Sequence, residues 1–224
     1  MKQSRPNKRF EFENIPASSV RFFRDNIINF ERQSSTNFAW RSTTNRWHAL
    51  VAEIMLQRTR AEQVVKAYAD FTKKYDTPSD YVADCSASAF TSLGLKWREQ
   101  TFRQLAEVLS KADIPSDSDN LLRLPGVGDY IASAFRSLHL RIRDCIVDSN
   151  VVRLYGRYFG FQTDGETRRK KWLILLADKL TPTRKFKDFN YGLIDFTKAI
   201  CKPKPLCNSC ILRDKCSYSD KLRQ

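Results

Sequence analysis

A chain of 224 residues is long enough to bury a real core, as one large domain or two small ones. Lys and Arg total 39 against 25 acidic residues, for a formal charge of +14 and a pI near 9.7, and residues 151–224 alone hold 17 basic and 7 acidic side chains. That excess points to a polyanionic partner such as nucleic acid, the plainer reading being a solvated basic surface. No apolar run reaches the roughly 18 residues of a membrane span, and no apolar signal core opens the chain, so no membrane partner and a cytoplasmic location are expected.

Residues 1–15 are polar, basic and unpatterned, and fraying is expected there. From about Ala17 to Arg32, Val20, Phe23, Ile27 and Phe30 recur at helical spacing behind a Ser18-Ser19 pair suited to an N-cap. The stretch SSTNFAWRSTTN, residues 34–45, reads as loop. One helix is then predicted from Trp47 to about Tyr75. Its apolar run from Ala49 to Leu56 is interrupted only by Glu53, which implies burial nearly all round. A carboxylate there is costly unless it sits at a rim with its stem buried, has a structural arginine partner or does chemistry.

A loop at 76–79 leads to a short helix ending near Leu93-Gly94-Leu95, where Gly94 suits a helix C-cap and Leu95 its hydrophobic contact. Residues 97–112 form an amphipathic helix and 114–118 a linker. Next comes LLRLPGVGDYIASAFRSLHLRIRDCIVDSNVVR, residues 121–153. Pro125 stops the preceding element, and Gly126 and Gly128 allow a tight turn and close approach of a ligand. The following helix offers free N–H groups and a positive dipole end, which suit a phosphate, although an ordinary helix connection reads the same way. Asp148 stands ahead of the helix Ser149–Tyr158. It suits an N-cap, and a cap can also be a catalyst.

Beyond Gly160, residues 162–169 are polar, Trp172–Leu180 is amphipathic, and Phe189–Ile200 is a last helix leading into Cys201, Cys207, Cys210 and Cys216. Four thiols within sixteen residues suit zinc or an iron–sulfur cluster better than disulfides. Cys85 and Cys145 stand apart. No period-two pattern and no internal repeat occurs, so an all-α protein follows.

Taken together, LPGVGDYIASAF followed by VDSNVVRLYGRYFG resembles the helix-hairpin-helix DNA glycosylases, the superfamily of endonuclease III, the adenine glycosylase MutY and the G:T mismatch thymine glycosylases. VAEIMLQRT is similar to the SEVMLQQT of MutY and the TEILLRRT of the thymine glycosylases, and Ala39-Trp40-Arg41 resembles a Pro-Trp-Arg segment of MutY-like proteins. The resemblance covers residues 38–218. It implies a six-helix barrel domain with the helix-hairpin-helix motif over residues 38–143, and a second helical domain from residues 1–37 and 144–224. That second domain is expected to carry a [4Fe–4S] loop at 201–216, whose first cysteine gap is one residue shorter here than in the family pattern. Lys202, Lys204, Arg213 and Lys215 decorate the loop and suit a phosphate backbone.

By the same resemblance Asp148 is the catalytic carboxylate and Glu53 the acid that helps the base leave. Gly126, Gly128 and Asn150 are DNA contacts, Leu95 enters the duplex from the strand opposite the target, and Gln57 or Arg58 fills the gap left by a flipped base. The residue after Gly128-Asp129 is Lys in endonuclease III-like enzymes, Ser in MutY-like enzymes and Tyr in the thymine glycosylases. Tyr130 therefore implies base removal without strand cleavage. MutY carries a further C-terminal domain, while this chain ends eight residues after Cys216. The expected activity is excision of thymine or uracil opposite guanine from double-stranded DNA by a monomer. The alternatives are adenine or another modified base as target, or a non-catalytic iron–sulfur DNA-binding protein, against which the presence of both Asp148 and Glu53 argues. Asp129 and Ile131 depart from the Arg or Lys and the Thr or Ser usual in the hairpin.

Overall fold

The computed structural model describes residues 12–34 and 36–223, and all regular structure among them is helical. In chain order the α-helices are α1 (Ala17–Gln33), α2 (Arg46–Met55), α3 (Ala61–Thr72), α4 (Pro78–Ala83), α5 (Glu99–Leu109) and α6 (Ser118–Leu122). They continue with α7 (Asp129–Ala134), α8 (Ser149–Phe159), α9 (Lys171–Leu180), α10 (Phe186–Ala199) and α11 (Ser217–Arg223). A π-helix, Phe135–His139, extends α7. The chain divides into two compact units, Ser35–Ile146 and the described parts of Met1–Ser34 with Val147–Gln224.

The 35–146 unit holds six of the helices, α2 to α7, around one apolar cluster. Every residue of α2 from Trp47 to Met55 is buried, as its unbroken apolar run implies. Trp47 stacks on Phe102 at 5.4 Å, and Phe71, Tyr75 and Tyr81 close round them edge-on or tilted. The single helix expected from Trp47 to Tyr75 is two helices. Leu56 ends α2, Arg58 takes a left-handed backbone at φ 59°, and the Gln63 side chain accepts from the Arg60 N–H to restart the chain as α3. No Gly or Pro marks this break, so apolar periodicity alone runs straight through it.

The expected loop at 76–79 supplies the start of α4: Thr77 accepts from Asp80 N at 3.2 Å while Asp80 accepts from Thr77 N at 2.8 Å, with Pro78 in the first turn. The helix expected to run on to Leu93 stops at Ala83. From there two carboxylates hold the backbone, Asp84 accepting from Ser86 N at 2.9 Å and Glu99 further on. Glu99 accepts from Ala89 N at 2.8 Å, from Phe90 N at 2.9 Å and from the buried Tyr81 hydroxyl. Burial and this negative neighbour raise the Tyr81 phenol well above its usual range. Similarly, residues 97–112 begin as a 3₁₀ turn before α5.

In the other unit α1 packs along α10. The contact is close because Gly192 lies over the Ile27 carbonyl, where a Cβ would collide with the backbone oxygen. Pro16, not Ser18 or Ser19, occupies the N-cap of α1, and no side chain caps it, because both serines lie inside the first turn. The fraying expected for residues 1–15 lies mostly outside the described residues. α10 begins at Phe186, before the expected Phe189, and α11 was not foreseen because SYSDKLR has no apolar stripe.

Candidate active site

The hairpin follows from local chemistry. Asp117 accepts from Asn120 N at 2.9 Å to start α6, and buried Leu124 and Val127 anchor the turn, with Val127 N donating to Leu124 O at 3.2 Å. Gly126 has φ 77°, a conformation that favours glycine. Gly128 does not need that freedom: at φ −108° and ψ 179° it is ordinary extended backbone, and a Cβ there would meet nothing within 4 Å. Its missing side chain matters only to what approaches from outside. Tyr130, half-buried, packs its ring against the core cluster, and Asp129 is exposed.

Glu53 is buried to 2% exposure and has a partner that its sequence neighbourhood does not reveal. His139 Nε2 lies 2.8 Å from Glu53 Oε1, with its own side chain also 2% exposed. The rim position is thereby excluded. An imidazole, not an arginine, meets the carboxylate.

Gln57 and Arg58, the two candidates for filling a gap in DNA, sit in the α2–α3 break with different constraints. Gln57 Oε1 accepts from Arg98 Nη2 at 2.8 Å, and Arg98 Nη1 also donates to Ile54 O at 3.0 Å. Arg58 is exposed. Burial and then the Arg58 charge lower the Arg98 guanidinium below its usual value. Leu95 is half-buried and packs against the core behind Gly94 at φ 70°, which is the C-cap arrangement. Two residues on, Trp97 is 65% exposed, its ring covered on one face by the Arg98 guanidinium at 4.9 Å. The sequence reading missed Trp97; the Lys96-Trp97-Arg98 triplet, an aromatic between cations, was its signal.

In the other unit Asp148 is the N-cap of α8. Oδ1 accepts from Asn150 N at 2.9 Å and Val151 N at 2.7 Å, and Oδ2 from Asn150 Nδ2 at 2.7 Å. Both oxygens are therefore oriented before any substrate arrives. Asn150 passes the order on: its Oδ1 accepts from Arg153 Nη1 at 2.8 Å, and Arg153 in turn grips the Cys201 carbonyl.

The four clustered cysteines form no disulfide and line one cavity with Leu154, Tyr158, Phe196 and Leu212. Among the described residues, no three Cys, His, Asp or Glu side chains form a group able to hold a metal ion. Burial pushes the Cys210 thiol up to about 11 and raises Cys216 as well. The Tyr158 hydroxyl is buried in this wall without a hydrogen-bond partner. Arg157 ties the loop down from α8, donating to Lys202 O at 2.7 Å and Pro203 O at 2.9 Å, with Nη1 3.6 Å from Cys201 Sγ. The four sulfurs are not gathered as a ligand group, but their donor chemistry, soft thiols in an apolar wall with an orphaned hydroxyl and an arginine at one sulfur, is that of a thiolate-ligated cluster site.

No family model matches the chain. It is 35% identical over 207 residues to the thymine/uracil-DNA glycosylase of Methanothermobacter thermautotrophicus, covering 89% of this chain and 94% of that one. To the thymine/uracil-DNA glycosylase of Pyrobaculum aerophilum it is 33% identical over 215 residues, covering 89% and 92%. A solved structure described as a thermostable thymine-DNA glycosylase superposes with a TM-score of 0.85 at 34% identity, covering 91% of this chain and 98% of that one. Identity at this level, spread over nearly the full length of each relative and carried on the same helical scaffold, means that the chain belongs to the thymine/uracil-DNA glycosylase family of the helix-hairpin-helix superfamily.

Proposed function

We propose that this protein is a monofunctional DNA glycosylase that hydrolyses the N-glycosidic bond of thymine or uracil mispaired with guanine in duplex DNA. The observation that carries the reading is Asp148, a carboxylate fixed on both oxygens by Asn150 and Val151. Breaking the bond to C1′ develops positive charge on the sugar. An oriented carboxylate stabilises that charge and directs the attacking water. Glu53, in its apolar surroundings, assists departure of the base. The hairpin glycines and Asn150 contact the phosphate backbone, and the exposed Arg58 favours the same polyanion.

Tyr130 supports hydrolysis without strand cleavage, since a phenol cannot form the imine through which an amine cleaves the strand. Cys201, Cys207, Cys210 and Cys216 would hold a [4Fe–4S] cluster, whose positive iron would stabilise thiolates that the apolar wall alone disfavours. The loop's lysines and arginines would then stand as a fixed basic surface.

The test is a single-turnover assay on T:G, U:G, A:8-oxoguanine and normal duplexes, with and without alkali to open abasic sites. Alkali-dependent cleavage at T:G or U:G is expected, and excision confined to A:8-oxoguanine overturns the pyrimidine assignment. Asp148→Asn is expected to keep DNA binding and lose base release. Tyr130→Lys is expected to yield a borohydride-trapped imine, and the absence of one would remove Tyr130 from C1′.

A further inference from the structure

The buried Glu53–His139 pair is a titratable contact of the 35–146 unit that the proposed chemistry uses only in part. Two ionisable side chains, each 2% exposed, meet at 2.8 Å across 86 residues of sequence. His139 reaches Glu53 from the last position of the π-helix, where Leu140 N donates to Phe135 O at 3.1 Å and Arg141 turns back at φ 57°. π-Turns inside helices recur at functional sites because the widened turn re-aims a side chain. Isolating a carboxylate in an apolar wall is costly. A carboxylate and an imidazole holding one extra proton between them form a net-neutral pair, which the wall tolerates.

We infer that His139 is the positioning residue and proton partner of Glu53, so that the proton given to the departing pyrimidine belongs to the Glu53–His139 pair. This rests on the role given to Glu53 above. As the C1′–N bond breaks, its electron pair leaves with the base, and the pair transfers its proton from Glu53 to that base. The pair is left as a carboxylate hydrogen-bonded to a neutral imidazole. Water adds to C1′, and the proton it loses returns to the pair through solvent. The reaction thus consumes one water and regenerates both side chains.

The surroundings bear on what titrates. Arg41, Arg46 and His48 lie on or before α2. Across from it stand Glu62, Lys66, Tyr68 and Asp70 of α3, Asp129 and Tyr130 of α7, and Arg136 of the π-helix. Glu62, Lys66, Asp70 and Asp129 are exposed and screened by solvent. Arg136 is engaged with Asp144 at 2.8 Å, Arg46 with Ile114 O at 2.6 Å, and His48 with Tyr75 O at 3.0 Å. Arg98 is turned to the end of α2, donating to Ile54 O at 3.0 Å and to Gln57 Oε1 at 2.8 Å.

The experiment is the pH dependence of single-turnover excision for the wild type, His139→Gln and Glu53→Gln, with DNA binding measured alongside. Gln at position 139 keeps a donor toward Glu53 but cannot titrate. It is expected to slow excision about a hundredfold, the usual size of an acid–base contribution, with DNA affinity retained. The limb on which the wild-type rate falls as pH rises is expected to move or vanish. If His139→Gln keeps the wild-type rate and profile while Glu53→Gln is inactive, the inference is overturned and the role of Glu53 stands. If Glu53→Gln itself excises at the wild-type rate, the reading of Glu53 fails first. Should His139→Gln not fold, ¹⁵N-histidine NMR of the wild type decides. The chain has two histidines, and the resonance assigned with a His48 variant as reference must titrate at the midpoint of the rate profile; a different midpoint overturns the inference.

Discussion

Arg153 grips the carbonyl of Cys201 with two donors, Nε at 3.1 Å and Nη2 at 3.0 Å, while its third nitrogen holds Asn150 at 2.8 Å. One side chain on α8 therefore fixes both the first cysteine of the loop and the amide that orients Asp148. Its burial, which lowers the guanidinium below its usual value, is the cost of that placement. Arg153→Ala is expected to cost about 2 kcal/mol of stability, since its charged hydrogen bonds to the buried Cys201 carbonyl and to Asn150 are lost. It should also reduce the visible absorbance of the [4Fe–4S] cluster proposed for the loop and slow excision. Arg153→Lys retains the charge but not the fork, and is expected to fall between the two in all three measurements.

Trp97 offers the largest exposed aromatic surface of the described residues, 65% accessible, in a basic triplet. Base–aromatic stacking is worth about 1–3 kcal/mol, so Trp97→Ala is expected to weaken duplex binding at least about fivefold. Tryptophan fluorescence of the wild type should quench on adding DNA, and the variant should lose most of that change. Leu95→Ala, by contrast, is expected to show mainly in thermal stability because Leu95 is packed on the core.

Arg58 holds a left-handed backbone without being glycine. Such a residue costs about 1 kcal/mol, part of which glycine returns as unfolded-chain entropy. Arg58→Gly is expected to raise stability by about 0.5 kcal/mol in urea titrations. It is also expected to reduce the salt dependence of DNA binding by about one counterion. A gain in stability with a loss of affinity would mark Arg58 as a residue kept for binding.

Asp164 closes the turn before α9. It accepts from Lys170 Nζ at 2.9 Å and from the Thr167 hydroxyl at 2.8 Å, and these hold its carboxyl down to about 2. A folded-state value below the unfolded one means that its stabilisation is present above the ordinary 3.8 and is lost as pH falls toward 2. Urea midpoints of the wild type and Asp164→Asn are therefore expected to differ at pH 5 and to converge between pH 4 and 2.

The helical nature of the chain, the burial of α2 and the capped start of α8 were legible in the sequence because each depends on neighbours within one or two turns. Apolar residues three and four apart define a face, and an Asp ahead of Ser149 satisfies N–H groups two and three residues on. Residue chemistry and spacing likewise set out the hairpin and the cysteine loop. What sequence periodicity could not convey was a break without Gly or Pro, at Arg58, where the backbone conformation is imposed by the elements on either side.

Only the tertiary structure paired Glu53 with His139, joined Arg153 to the Cys201 carbonyl, and left Leu95 packed while Trp97 stands in solvent. The sequence by itself determined that the chain is helical, where most of its apolar faces lie and which residues carry charge or thiol. Which of those groups meet was decided by packing, because a contact across 86 residues has no local signature: it exists only once the helices between have found their places.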